Sequence, residues 1–280
     1  MAQKAHSNIL RPTESLYQGC THWDEARFYH ISSRVDCLIN SCCAGTNNYV
    51  SNIKINRHLG LVFLELDLVH LQYLPKERRF NPKNKSQEVI ESKPSEGSWI
   101  HLLFRLNRSL RVIQTFTGTK KVTLRINRLK TYTRATPKKV RKQLAHYTKP
   151  HFKLKYDYAR YGMQLMDLIV KNKGSARALS RFLEQNIRTR RKRKRHQEFL
   201  GYIRQGFEAL KPYRKIQGLK IQIKGRFTLK AKGRTRVWKY QMGQMPLSQL
   251  DIPIQTEYTQ TKTAYGSVGL KVWIATQDLA

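Results

Sequence analysis

The stretch Thr263-Ala-Tyr-Gly-Ser-Val-Gly-Leu-Lys-Val-Trp-Ile274 holds the only G-x-x-G of the 280-residue chain, Gly266 to Gly269. In one class of RNA-binding module, a G-x-x-G between two helices clamps the nucleic-acid backbone. Its surroundings here are different. A Thr-rich, strand-like segment precedes it, and Val268, Leu270, Val272 and Ile274 then alternate with Gly269, Lys271 and Trp273. That is the period of a half-buried strand, so the glycines are read as serving a turn and a close-packed strand.

Working back from this strand, Leu219, Ile221 and Ile223 alternate with Lys220, Gln222 and Lys224. Val237 and Lys239 alternate with Arg236, Trp238 and Tyr240, and Leu250 to Gln255 reads as a further strand, placed at an edge by Pro253. Three helical stripes come before these strands. The first is Ala159, Met163, Met166 and Val170, broken by Gly174; the second is Leu179, Phe182, Leu183 and Ile187, capped by Ser175. The third is Phe199, Ile203, Phe207 and Leu210, stopped by Pro212. Residues 155–280 are therefore expected to form an α+β domain, helices packed on a small mixed or antiparallel sheet.

The first half has another order. After a basic and polar arm, 1–20, Thr21-x-x-Asp24 reads as a capping box. Phe28, Ile31, Val35, Leu38 and Cys42 then recur at helical spacing up to Gly45. A strand with Ile53 and Ile55, a turn at Gly60 and a strand with Val62, Leu64, Leu66 and Leu68 follow. Residues 75–98 are polar, with Pro75, Pro82 and Pro94, and read as an insertion. Leu103, Leu106, Leu110 and Ile113 restore a helix ended by Gly118; Val122, Leu124 and Ile126 then alternate with Thr123, Arg125 and Asn127, a strand with one basic face. Helix, strand, strand, interruption, helix, strand resembles a type-II KH domain over 21–130. The clamp of such a domain belongs between the second strand and the helix at 101–113, where only Gly97 occurs. The half is accordingly read as degenerate, without a clamp. A basic connector, 131–154, joins the two halves.

Charge narrows the function class. The chain carries 54 Lys+Arg against 18 Asp+Glu, a formal net charge of +36. A compact body with that charge repels itself until polyanions neutralise it, which points to nucleic acid or an anionic membrane. Residues 97–156 contain 16 Lys and Arg and no acid, and Asn186 to Arg195, NIRTRRKRKR, holds seven basic residues in ten. Aromatic residues such as Tyr147, Phe152, Tyr156 and Tyr158 lie among the cations, where rings can stack on bases. No apolar run approaches the ~20 residues of a membrane span. The four cysteines, Cys20, Cys37, Cys42 and Cys43, have neither disulfide nor zinc spacing, and Cys37 and Cys42 are read as small apolar residues on a helix face. No nucleotide-binding, metalloprotease or hydrolase motif occurs, and residues 97–280 supply eight acids, too few and too scattered for a two-metal nuclease. The expectation is no enzyme, no cofactor and no bound metal, beyond Mg2+ held by RNA. The start, MAQKAHSNILRP, lacks the pattern of a cleaved presequence, so an organellar protein of this kind is expected to be organelle-encoded. A free nucleic-acid-binding regulator, or a nuclear basic protein imported through Arg190 to Arg195, is the alternative.

The segments Gly218-Leu-Lys-Ile-Gln-Ile-Lys-Gly-Arg226, Pro246-Leu247 and Thr263 to Ile274 together resemble the C-terminal domain of protein three of the small ribosomal subunit. That family shows G-[IL]-[KR]-[IV]-x-[VI]-x-G-R, then P-L, then T-x-Y-G-x-[IV]-G-[VIL]-K-V-W-I, in the same order and spacing. Met1-Ala-Gln-Lys-Ala-His6 also resembles the family's start, M-G-Q-K-x-H. The resemblance implies an rRNA-binding protein of the subunit head, beside the channel where mRNA enters and among neighbouring head proteins. It places Gln3, Lys4 and His6 of the arm, and Arg226, Lys271 and Trp273 of the C-terminal motif, against rRNA. Arg125, Arg188, Arg190, Arg191, Lys192, Arg234, Arg236 and Lys239 are added as cations suited to the same role. Bacterial members turn basic residues of the preceding helix toward incoming mRNA. The apparent equivalents here are Leu200, Gly201 and Arg204, so Arg193 and Arg195 join Arg204 as candidates for that contact. The absent clamp and extra basic segments point to a mitochondrial member in the matrix, since a plastid or bacterial one is expected to keep the clamp.

Overall fold

The computed structural model describes residues 25–44, 46, 48–58, 61–71, 96–129, 158–189, 193–226 and 234–276. The arm, the capping box, Gly45, Gly60, most of the insertion and the connector lie outside these residues.

Apolar side chains at helical spacing make α1, Glu25–Cys43, which buries Ile31, Val35, Ile39 and Cys43. Cys42 is half-buried and Cys37 is exposed, so the small apolar role read for Cys37 belongs to Cys43. Burial pushes the Cys43 thiol up to about 12, which makes it unreactive at neutral pH. Strands β1, Asn48–His58, and β2, Leu61–His70, pair antiparallel; β3, Lys121–Leu129, pairs parallel to β2, giving the order β1-β2-β3. A parallel partner needs a crossover, and α2, Glu96–Thr117, belongs to the connection between β2 and β3. It starts inside the 75–98 insertion, because the first helical turn needs no apolar period to form. Gly118 ends it at φ +63°, a left-handed conformation that favours glycine. Helices α1 and α2 cover Val62, Leu64, Leu66 and Leu68 of β2.

The second half contains α3, Tyr158–Val170, α4, Ala176–Thr189, α5, Arg193–Leu210, and a four-stranded sheet. Its strands are β4, Gly218–Gly225, β5, Arg236–Gly243, β6, Ile254–Thr263, and β7, Gly266–Ala275. They lie in the order β5-β4-β7-β6, all antiparallel. Every residue of the three helical stripes is buried. The chain is thus α+β in both halves.

Local details depart from the sequence reading. The stop of α3 is Asn172, at φ 57°, with the Lys173 and Gly174 amides donating to the Leu168 carbonyl at 2.9 and 3.1 Å. Gly174 serves packing instead, since a Cβ there would meet Ile169 at 2.8 Å. The strand read at 250–255 begins only at Ile254, after Pro253, although the edge position is as expected. Ser175 does cap α4, accepting from the Ala178 amide at 3.2 Å.

Helix α4 also ties the halves together. Ser175 donates to the Ser51 carbonyl at 2.9 Å, the Tyr49 hydroxyl donates to Gln185 Oε1 at 2.7 Å, and Arg177 pairs with Asp36 of α1. Tyr49, Val69 and Leu71 enter the same core as Phe182 and Leu183. Burying Val69 and Leu71 contributes roughly 1.5–3 kcal/mol each, so this junction holds hydrophobically as well as by charge.

Candidate nucleic-acid interface

Strand alternation sorts the C-terminal sheet into two faces. Leu219, Ile221 and Ile223 of β4, Tyr240 and Met242 of β5, and Val268, Leu270 and Val272 of β7 point into the core. The register sets the other face in rows. One reads Lys239, Gln222, Lys271, Tyr258 across β5, β4, β7 and β6; the next reads Gln241, Lys220, Trp273, Thr256. A third reads Val237, Lys224, Gly269, Gln260, and Lys262 lies beyond it opposite Ser267. Five lysines therefore share one face, all exposed except the half-buried Lys220. The only acid in these four strands, Glu257, pairs with buried Val272 and so belongs to the inner face. Burial pushes its carboxyl up, opposed by Arg177 and Arg181.

Two aromatic rings are built into the lysine face. Lys220 Nζ stands 5.4 Å from the centroid of Trp273, and Lys271 Nζ stands 4.7 Å from that of Tyr258, both cation–π distances. Trp273 is only 8% exposed; it packs with Ile254 and Ala275 beneath Met245, Leu247 and Ile252. It is therefore a support for the lysines, not a free platform for a base. Without acids to compete, such a face is chemically suited to the phosphates of an extended polyanion, a kind of contact that releases counterions and carries little sequence information.

The hairpin beside it sets the roles of the two glycines of the G-x-x-G. Thr263 pairs with Gly266 across a two-residue turn, Ala264–Tyr265, and Gly266 adopts φ +122°. The Thr263 hydroxyl donates to the Gly266 carbonyl at 2.8 Å and accepts from the Tyr265 amide at 3.3 Å. Gly266 is a turn glycine, as read. Gly269 corrects the other half of that reading: a Cβ there would meet nothing closer than the Lys224 carbonyl at 3.9 Å. Its missing side chain leaves an open floor between Lys224 and Gln260, where a ligand backbone can come close to the sheet.

A family model, Ribosomal protein S3, C-terminal domain, matches residues 179–274, which include most of α4, all of α5 and the whole of this sheet up to Ile274. Over this domain, the chain is similar to the ribosomal protein S3 family. Among similar proteins, small ribosomal subunit protein uS3 of Halorhodospira halophila is 41% identical over 58 residues, 21% of this chain and 25% of that protein. The uS3 of Leptospira biflexa is 38% identical over 63 residues, 22% of this chain and 27% of that protein. The uS3c of Mesostigma viride is 34% identical over 86 residues, 26% of this chain and 39% of that protein. The chain thus spans between a quarter and two fifths of the length of these relatives.

Of the residues read as RNA-binding, the S3-type sheet brings Lys239, Lys271 and Trp273 onto one face. Arg226 follows β4 and is half-buried; Arg234 and Arg236 are exposed at the start of β5. Arg188 is exposed in the last turn of α4, where a cation suits the helix dipole. Arg193 and Arg195 occupy the first turn of α5, which holds no acid. Arg204 is exposed but bonded to Glu208 at 3.0 Å, and Leu200 is buried. Leu200 therefore faces the core and is no counterpart of a solvent-facing cation. Arg125 lies opposite Glu65, 3.7 Å away, and Asn127 donates to Asp67 at 3.0 Å. The β3 side read as basic is thus part of a mixed-charge face. Gln3, Lys4, His6, Arg190, Arg191 and Lys192 lie outside the described residues. Lys220, Lys224, Lys262 and Tyr258 were missed as site residues. The alternation of Lys220 and Lys224 with apolar residues was the available signal, and only strand order shows that all these side chains share a surface.

Proposed function

We propose that the chain is a structural, rRNA-binding constituent of a small ribosomal subunit. The acid-free lysine face of its S3-type sheet is the observation that carries this reading. The face binds rRNA phosphates and needs no catalytic group; Mg2+ enters only with the RNA. The family resemblance supports a place in the subunit head, beside the mRNA channel and neighbouring head proteins. There Arg193, Arg195 and Arg204 of α5 would meet incoming mRNA. The missing clamp in the KH-like half supports a mitochondrial subunit.

Sedimentation of organelle and cell extracts in high-magnesium gradients tests the reading. The chain is expected to travel with small subunits of the mitochondrial fraction and to leave them when magnesium is chelated. Migration with DNA or as free protein would overturn the ribosomal assignment. Co-sedimentation with cytoplasmic or plastid subunits would overturn only the compartment.

A further inference from the structure

The solvent face of α2 contradicts its own helix. Leu102, Leu106 and Ile113 bury one side of α2 against α1 and β2. Phe104 is two residues from both Leu102 and Leu106, about 200° round a helix of 3.6 residues per turn, and is 69% exposed. Ile100, one turn back along the same surface, is 49% exposed, and Leu103, the residue before Phe104, is 38% exposed and packs between the two sides. No described residue covers this ridge. A large exposed aromatic at the centre of an apolar patch, with polar residues at its rim, marks an interaction surface.

The chemistry of the ridge separates two classes of partner. On the C-terminal sheet, exposed lysines surround rings held by cation–π contacts. On α2, aliphatic Ile100 and Leu103 flank Phe104, and such side chains neither pair with phosphate nor stack on bases. The rim is supplied by Arg108 and Arg111, both exposed one to two turns on. No Asp or Glu occurs between Gly97 and Leu129. An apolar ridge with an arginine rim, on a helix whose one acid is its first residue, Glu96, complements a protein surface that offers apolar side chains flanked by Asp or Glu.

We infer that the outer face of α2, centred on Phe104, docks a neighbouring protein through an apolar contact ringed by acidic side chains. This rests on the ribosomal reading above, which supplies the assembly in which the neighbour is met. The KH-like half then serves as a protein-binding scaffold, and RNA contact falls to the C-terminal sheet.

Replacing Phe104 with the photo-crosslinker p-benzoylphenylalanine, in the full chain assembled into small subunits, tests this directly. Irradiation is expected to link position 104 to one subunit protein, at a peptide carrying apolar and acidic residues. A link to rRNA, a link only within the chain, or no link in subunits that contain the variant would overturn the inference. Phe104→Asp adds a second readout. Its exposure predicts an unchanged fold by circular dichroism, while the crosslinked neighbour should be lost from salt-washed subunits by about tenfold. Full retention of that neighbour would count against the proposal. Failure of even the unmodified chain to enter subunits would instead remove the ribosomal reading, and this inference with it.

Discussion

The ammonium group of Lys271 in β7 sits 4.7 Å from the ring of Tyr258 in β6, its register partner. The ring holds the lysine upright on a face that contains no acid, so the charge stays available to phosphate. Lys271→Ala and Lys239→Ala should each weaken RNA binding several-fold at moderate salt. Each should lower the slope of log K against log salt by about 0.7 to 0.9, with folding stability changed by no more than about 0.5 kcal/mol. Filter binding over a salt series, with thermal melts as control, checks both. An unchanged slope would remove Lys271 and Lys239 from the interface.

Two glycines one row apart should respond in opposite ways. Gly269→Val fills open space on the lysine face, so RNA affinity should fall while stability holds or rises. Gly225→Ala places a Cβ 2.7 Å from Val268 in the core, an overpacking that should cost about 1–3 kcal/mol. Urea unfolding beside RNA binding separates the two effects. If Gly269→Val binds RNA normally, phosphate does not approach the sheet there.

The halves should unfold as one. Tyr49 of β1 is buried against Phe182 of α4 with ring centroids 5.8 Å apart, and its hydroxyl donates to Gln185. Tyr49→Phe keeps the ring and removes the hydrogen bond, for an expected loss of about 0.5–1.5 kcal/mol. Far-UV dichroism and tryptophan fluorescence should give coincident denaturation curves, because Trp99 belongs to the first half and Trp238 and Trp273 to the second. Two separated transitions would show that the shared core does not couple the halves.

Glu257 provides a pH prediction. Burial is the largest cause raising its folded-state pKa above the ordinary 4.5, so the folded protein holds this proton more tightly than the unfolded chain. Its contribution to stability is fully present below the unfolded value and is lost as pH rises through the folded value. Glu257→Gln mimics the protonated form and should therefore raise the melting temperature at pH 7. The advantage over the parent should shrink as pH falls toward 4.5. A variant less stable than the parent at pH 7 would mean that Arg177 and Arg181 outweigh the burial.

Local alternation and spacing made much of this legible. The stripe from Leu179 to Ile187, the inward run Val268 to Ile274 and the turn at Gly266 all follow from patterns only a few residues long, because side-chain direction repeats every 3.6 residues in a helix and every two in a strand. The failures have two causes. Asn172 rather than Gly174 ends α3 through a local turn, in which a non-glycine residue takes the left-handed conformation. That Cys43 rather than Cys37 is buried, and that Arg125 faces Glu65, depends on what a distant segment places beside the residue.

By itself, then, the sequence determined the α+β class, the inward faces of its elements, the excess of positive charge and the likeness of its C-terminal part to ribosomal protein S3. These are local or additive properties, written in periodicity, motif and composition. Only the tertiary structure decided which cations work together. Strand order β5-β4-β7-β6 gathers Lys239, Lys220, Lys224, Lys271 and Lys262 on one face and turns Glu257 to the other, while the pairing of β2 with β3 sets Arg125 against Glu65. An interface is a relation between chain segments far apart in sequence, and register fixes that relation.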